Sequence, residues 1–262
     1  MTAPILTWLF VPADRPDRVE KAIASRAHAV IVDLEDGVRA GAKTAARANL
    51  AELFHSAHEK PVFVRVNRGD DEDLAAVAAL PLAGVVVPKV EHPEDVPDLP
   101  AVQAMIETAR GLEAAFEIAS HPSVRGVALG EADLRSQTGA GEDGLDYARS
   151  RIVNAAVAVG LPRPPQSVYM NVRDLEGLAR SCRRGRALGQ LGRQAIHPDQ
   201  LEIIEQAYLP TRAEVDGARE TVAKLEAEGV GEVAGGLFVD AALAGSAQMT
   251  LVLADAYGVS SS

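Results

Sequence analysis

The sequence predicts a parallel α/β fold, a (β/α)8 TIM barrel with a C-terminal helical extension, and three observations carry that prediction. Eight short apolar runs each give way to a helical segment within about two hundred residues, an alternation that calls for a parallel sheet. The chain has 262 residues, near the roughly 250 typical of an eightfold barrel. Charged and amide side chains recur where the apolar runs stop, the face on which ligands gather in parallel α/β folds. An open, doubly wound sheet satisfies the same alternation and stands as the alternative. Its dinucleotide-binding version has no support, because no Gly-x-Gly-x-x-Gly follows the first run.

Residues 5–11 are apolar and stop at Pro12, and Pro16-Asp17 opens a helix reaching Ala24. Residues 29–32 form a second buried run, closed by Asp33-Leu34-Glu35-Asp36-Gly37, with an Ala-rich charged helix over 42–54. Residues 62–66 read as a third strand carrying Arg65 and ending at Asn67, with a helix over 71–79. Residues 84–87 form a fourth, closed by Pro88-Lys89. The fifth and sixth runs end at Glu107 and near Asp133, separated by a helix over 111–119. An amphipathic helix over 147–159 stops at Gly160 and Pro162. Residues 166–169 predict a seventh strand and 174–188 its helix. Ala195-Ile196-His197 predict the eighth strand, and Pro198 starts the helix over 199–207. The barrel is thus expected over 1–210 and a helical extension over 211–262. That extension comprises a charged helix (213–228), a Gly-rich joint (229–236), Leu237-Phe238-Val239-Asp240, an Ala-rich helix and a disordered Ser-rich end.

Glu107 and Asp133, at the ends of successive parallel strands, would project into one mouth. Two carboxylates there repel unless a proton or a cation lies between them, and Mg²⁺ takes one or two carboxylates plus water and substrate oxygens. The alternative is a pair of solvated loop acids. Glu35, Asp36, Arg65, Lys89 and His197 converge on the same rim, a set suited to a cation with an anionic substrate. Arg65 can fork onto a carboxylate through two parallel hydrogen bonds, or it can form an internal pair with Glu35 or Asp36. His197 reads as a packed helix-start residue rather than a ligand, and Asp33 and Lys43 as support around the second strand.

A net charge of -11 excludes nucleic acid as the main partner while leaving room for a locally bound phosphorylated ligand. The 47% apolar content is that of a globular core, and the lone Cys182 cannot form an internal disulfide. No apolar run approaches the length of a membrane span, so a soluble cytoplasmic protein is expected.

Further motifs follow the same order. Leu9-Phe10-Val11-Pro12-Ala13-Asp14-Arg15-Pro16 with Glu20-Lys21-Ala22, then Val30-Ile31-Val32-Asp33-Leu34-Glu35-Asp36-Gly37-Val38, open the series. Val64-Arg65-Val66-Asn67, Val87-Pro88-Lys89, Ile106-Glu107-Thr108-Ala109, Gly130-Glu131-Ala132-Asp133-Leu134 and Ala195-Ile196-His197-Pro198 continue it. Over nearly the whole chain this resembles the citrate lyase β-subunit group of the HpcH/HpaI aldolase superfamily, which includes malyl-CoA and citramalyl-CoA lyases. The resemblance implies a trimeric or hexameric Mg²⁺-dependent barrel acting on a 2-keto acid and an acyl-CoA thioester. It implies that Glu107 and Asp133 bind the metal, that Arg65 grips the keto-acid carboxylate, and that Phe10, Arg15 and Lys21 contact coenzyme A. Read without it, those three are a core aromatic and a solvated helix face. The resemblance makes Asp240 an acid reaching into a neighbouring subunit's site; in the chemistry the site would perform, Asp240, or else Asp36, would move the proton.

This chain departs from the pattern at several places. Gln166 and Asn171 stand where Asp is common, which would lower the negative charge near the mouth. Arg193 stands where Lys is common, Leu6-Thr7 replaces an Arg before the first strand, and Phe238-Val239-Asp240-Ala241-Ala242 replaces Met-Ile-Asp followed by Pro. The expected reaction is reversible carbon–carbon cleavage of a 3-hydroxyacyl-CoA. A Mg²⁺-dependent acyl-CoA thioesterase of the same fold, or a non-catalytic subunit binding an acyl-carrier partner, remains open.

Overall fold

The computed structural model describes residues 3–233 and 236–260. The chain divides into two units, one over residues 5–207 and a carboxy-terminal one that begins at Tyr208 and takes in Ala3 and Pro4. In the larger unit β1 (Thr7–Pro12), α1 (Pro16–Ala24), β2 (Ala29–Asp33), α2 (Lys43–Leu53), β3 (Val62–Arg65), α3 (Asp71–Ala78) and β4 (Gly84–Val87) alternate regularly. β5 (Val102–Ile106) is followed by two short helices, α4 (Ala109–Glu113) and α5 (Ala115–Ala119). Next come β6 (Val124–Leu129), α6 (Glu131–Thr138), α7 (Leu145–Ala158), α8 (Leu175–Ala187), β7 (Arg193–Ala195) and α9 (Gln200–Tyr208), whose last residue is the first of the other unit.

The seven strands are parallel, in the order β6-β5-β4-β3-β2-β1-β7. All five residues of β2 are buried, as expected of a strand covered on both faces. Successive side chains alternate between the two faces. On the concave face Trp8, Ala29, Ile31, Phe63, Val86, Met105 and Ala128 form one apolar cluster, which is the floor of the site. Two residues further along the strands, Phe10, Asp33, Arg65 and Glu107 stand above Trp8, Ile31, Phe63 and Met105. Alternation therefore raises polar groups on an apolar base.

The sheet has seven strands rather than the expected eight, and it is curled but not a fully closed eight-stranded barrel. Residues 166–169, expected as the seventh strand, contribute one isolated bridge, Gln166 to Arg193. The Gln166 N–H donates to Gly192 O and its carbonyl accepts from the Gln194 N–H, both at 2.9 Å. Pro162, Pro164 and Pro165 precede this segment and have no N–H to give a ladder. The last strand also starts earlier than expected, at Arg193. A second correction concerns Asp133, which lies in the first turn of α6 rather than at a strand end.

Glu131 at the start of α6 is held by Arg149 of α7, a buried arginine only 1% exposed. Its Nε and Nη2 donate to the two Glu131 oxygens at 2.8 and 2.7 Å, and Glu142 and Asp146 complete the cluster at 2.7 and 3.1 Å. Removing one partner of a buried pair costs about 3–5 kcal/mol. Arg149→Ala is expected to lower unfolding stability by that order in denaturant titrations, and an unchanged midpoint would show that the cluster does not hold α6.

In the carboxy-terminal unit, α10 (Arg212–Glu228) starts in a capping box, with the Thr211 side chain accepting from the Glu214 N–H while the Glu214 carboxylate accepts from the Thr211 N–H. β8 (Gly231–Val233) pairs antiparallel with β9 (Leu237–Val239), and α11 (Ala241–Tyr257) follows. Residues 234–235 of the Gly-rich joint, and Ser261 and Ser262 of the end expected to be disordered, lie outside the described residues.

Candidate active site

The site is built on the carboxyl ends of β1, β2, β3 and β5 and the start of α6. Asp33, the last residue of β2, is 4% exposed and closes the turn after its strand. Its two oxygens accept from the backbone N–H of Glu35 at 2.9 Å and of Gly37 at 2.8 Å. A side chain on Gly37 would run into the Asp33 carboxylate, so the absence of a Cβ there permits the turn. β2 and β3 are registered so that Asp33 lies opposite Arg65. The Arg65 Nε and Nη2 donate to the two Asp33 oxygens at 2.7 and 2.6 Å, a side-on fork. The Nη1 lies 2.8 Å from Glu35 Oε2, an ion-pair contact without hydrogen-bond geometry that leaves that oxygen without a hydrogen-bond donor among the described residues.

The Phe10 ring lies under the same guanidinium, 5.0 Å from centroid to Cζ, a cation–π contact that fixes its plane. Burial alone would lower the Arg65 pKa. The hydrogen bonds to Asp33 and the charges of Asp33, Glu35 and Glu107 more than offset it and raise the pKa, so Arg65 carries its charge throughout. Of the two sequence readings, the internal pair is present, with Asp33 as the main partner rather than Glu35 or Asp36. Asp33 thus supports the second strand as expected, and Lys43 reaches Asn67 Oδ1.

Lys89 follows β4 with φ 54°, a left-handed conformation that is uncommon for a side-chain-bearing residue. This turn directs its N–H to Glu107 Oε2 at 3.0 Å, while its ammonium binds Glu35 Oε1 and lies 3.7 Å from Asp36. Glu107 is 3% exposed. Burial, followed by the charges of Glu35 and Asp133, pushes its pKa to about 7 against the partial relief of Lys89 and Arg65. The adjacent backbone is Gly130, where any Cβ would overlap the Glu107 side chain.

A carboxyl group raised to about 7 first by burial and then by two neighbouring carboxylates is suited to accept a cation beside it. Among the described residues no group of three or more His, Cys, Asp or Glu side chains is set to hold a metal ion. Two carboxylates with open positions nevertheless fit Mg²⁺, which keeps water and substrate oxygens as its other ligands. They do not fit a closed structural zinc site.

The titration has a checkable sign. An unfolded Glu107 would lose its proton near 4.5 and the folded one near 7, so the folded state binds more protons across that window. Relative to Glu107→Gln, the metal-free wild type is expected to lose stability as pH rises from about 4.5 to about 7 and to change little above it. Melting temperatures of both proteins across that range decide this, and a relative gain in stability with pH would contradict the charge crowding described.

These groups face a cavity of about 480 Å³ lined by Phe10, Asp36, Arg65, Glu107 and Asp133 among others. Five of the residues predicted from sequence are therefore brought together. Arg15 and Lys21 do not line it: both are exposed, and Arg15 Nε lies 3.4 Å from Asp17. Asp240 belongs to the carboxy-terminal unit, where its side chain caps α11 by accepting from the Ala242 N–H at 2.9 Å. His197 starts a helical turn but is exposed rather than packed, with Asp199 at 3.5 Å. Gln166 is not near the mouth. It is fully buried, donating to Ser181 O at 3.0 Å and accepting from Arg193 Nη1 at 3.1 Å.

Arg18, Ser167, Met170, Gln194 and Ile196 also line the cavity, and none of them was singled out from the sequence as a site residue. Arg18 could have been found, since it stands three residues after Arg15 and at the same end of α1. A larger cavity of about 650 Å³ opens alongside, between α6 and α8. Its arginines 149 and 184 are tied to carboxylates, and it contains none of the predicted site residues.

A profile of the HpcH/HpaI aldolase/citrate lyase family matches residues 6–102 and 99–198. A (3S)-malyl-CoA thioesterase of Cereibacter sphaeroides is 36% identical over 240 residues, 85% of this chain and 84% of that protein. The mitochondrial citramalyl-CoA lyase of Homo sapiens is 30% identical, covering 94% of this chain and 84% of its own. Among solved structures, CitE of Mycobacterium tuberculosis in complex with magnesium, acetoacetate and coenzyme A matches with a TM-score of 0.82 at 33% identity. That match covers 97% of this chain and 100% of the other.

Proposed function

The chain belongs to the HpcH/HpaI aldolase/citrate lyase family, and on that premise we propose that it is a Mg²⁺-dependent carbon–carbon lyase. It cleaves or forms a 3-hydroxyacyl-CoA such as citryl-, malyl- or citramalyl-CoA, with a 2-keto acid and an acyl-CoA as the other side of the reaction. The observation that carries this reading is Glu107. A buried carboxyl group raised to about 7 beside Asp133, facing a permanently charged Arg65 in one cavity, is a cation site next to a carboxylate clamp.

Glu107 and Asp133 would hold the ion, which when bound supplies a Lewis acid that polarises the keto oxygen and offsets charge on the substrate oxygens. Arg65 keeps its Nε and Nη2 on Asp33, and its outer edge receives the substrate carboxylate. Asp33 and Phe10 hold that edge in place, so the guanidinium pays little reorganisation when charge builds up on the enolate. Asp36 lines the cavity and is one proton carrier. Asp240 is the other, reaching the site of a neighbouring copy in a trimer or hexamer. Phe10 borders the path of the thioester chain, while exposed Arg15 and Lys21 meet the phosphates of coenzyme A outside the cavity. A buried, unpaired Cys182 suits the cytoplasm, and no helix of the described residues is long and apolar enough to cross a membrane.

Water attack on the thioester carbonyl is the second reading, favoured by the 36% identity to a protein named for that activity. The reverse reaction separates the two. Acetyl-CoA with glyoxylate, pyruvate or oxaloacetate and Mg²⁺ should yield a 3-hydroxyacyl-CoA, detected by mass, if the protein is a lyase. Release of free CoA with no condensed thioester would leave the hydrolase.

A further inference from the structure

Gln194 sits in the middle of β7, opposite Trp8 of β1. Its neighbour Arg193 turns away from the cavity floor, with Nη1 donating to Ser181 of α8 at 2.9 Å and to Gln166. By alternation Gln194 turns inward, and it lines the 480 Å³ cavity at the level of Trp8 and Met105, one step below Ile196. It is 3% exposed, yet its side-chain amide has no hydrogen-bond partner among the described residues. Of the other polar side chains there, Asp33 and Arg65 are committed to each other and Ser167 accepts from the Glu131 N–H at 3.2 Å, while the Trp8 indole N–H, across the ladder from Gln194, is buried without a partner among the described residues. The Gln194 amide atoms are not among the fully buried polar atoms left unpaired, so they open onto the cavity, where a ligand can supply the partner.

We propose that Gln194 is a specificity-determining residue that reads the substituent on the keto-acid end of the substrate. This rests on the lyase reading of the cavity. The bulky coenzyme A chain must leave through the mouth, so the keto-acid end occupies the floor. With its carboxylate toward Arg65 on β3 and its keto oxygen toward the cation that Glu107 and Asp133 would hold, the remaining substituent is directed across the sheet to β7. Glyoxylate offers a hydrogen there, pyruvate a methyl group and oxaloacetate a carboxymethyl group. An amide N–H₂ donates to the carboxylate of the last and gains nothing from the first two. The structure therefore assigns Gln194 a preference for a keto acid with a polar substituent.

The test is calorimetric titration of oxaloacetate and of pyruvate, each with Mg²⁺, into wild type, Gln194→Leu and Gln194→Glu, with melting temperatures on the same samples. Wild type should bind oxaloacetate more tightly. Gln194→Leu, of similar size, should fold and lower the oxaloacetate-to-pyruvate affinity ratio about tenfold or more, as expected for one hydrogen bond to a charged group. Gln194→Glu should lower it further by repulsion. A ratio unchanged in Gln194→Leu, or both affinities falling together, would make Gln194 a packing residue of the floor and overturn the assignment. A shifted ratio in a protein that turns over no thioester would uphold the assignment and reject the lyase reading. Failure of wild type to bind either keto acid would reject both.

Discussion

Glu107→Gln and Asp133→Asn are each expected to abolish Mg²⁺-dependent turnover, with metal affinity in the presence of keto acid falling about a hundredfold or more. Changing groups that merely support a metal ligand already costs about 10–100-fold, and these two are the ligands themselves. The two variants should differ in the metal-free state. Glu107 is buried and crowded by Glu35 and Asp133, so a neutral amide removes repulsion and should leave the fold as stable or more stable at neutral pH. Asp133 is exposed in the first turn of α6, where a carboxylate interacts favourably with the helix N-terminus by about 0.3–1 kcal/mol. Asp133→Asn should therefore lose a little stability. Calorimetric Mg²⁺ titration and melting curves check both statements, and wild-type turnover that survives thorough chelation would remove the metal from the mechanism.

Arg65→Ala is expected to weaken oxaloacetate or glyoxylate binding roughly thirtyfold or more, on the basis that truncating one partner of a desolvated charge pair costs about 2–5 kcal/mol. It should also destabilise the fold, because Asp33 and Glu35, at 4% and 6% exposed, would lose the guanidinium between them. Arg65→Lys should fall between the two in affinity. Its single ammonium cannot hold Asp33 side-on and a substrate carboxylate end-on at once. Mg²⁺ affinity without keto acid should change much less. Stability that collapses while keto-acid affinity holds in the folded fraction would make Arg65 a strut for β2 and β3 and nothing more.

Much of this site was legible in the sequence because strand ends announce themselves. Glu107 ends an apolar run, Arg65 interrupts another and Asp36 follows a third, and the cavity contains all three. What spacing could not reveal is register. Asp33, not Glu35 or Asp36, holds the Arg65 fork because β2 and β3 pair Asp33 with Arg65 across the ladder, a relation no local pattern encodes. Asp133 was misplaced by a few residues because β6 ends at Leu129 and, after Gly130, Glu131 opens a helix at once, stabilised by a contact with Arg149 from the next helix. The eighth strand was overcounted because a β-like run at 166–169 sits behind three prolines that leave it a single bridge. Gln194 escaped notice for a related reason: its inward direction depends on the pairing of β7 with β1.

The most direct test follows thioester loss and product formation together, with citryl-, malyl- or citramalyl-CoA, before and after chelation. A lyase built on Glu107, Asp133 and Arg65 yields one keto acid and one acetyl-CoA per thioester consumed, and chelation stops both while added Mg²⁺ restores them. Free CoA appearing in step with a hydroxy acid, or consumption indifferent to chelation, would contradict it.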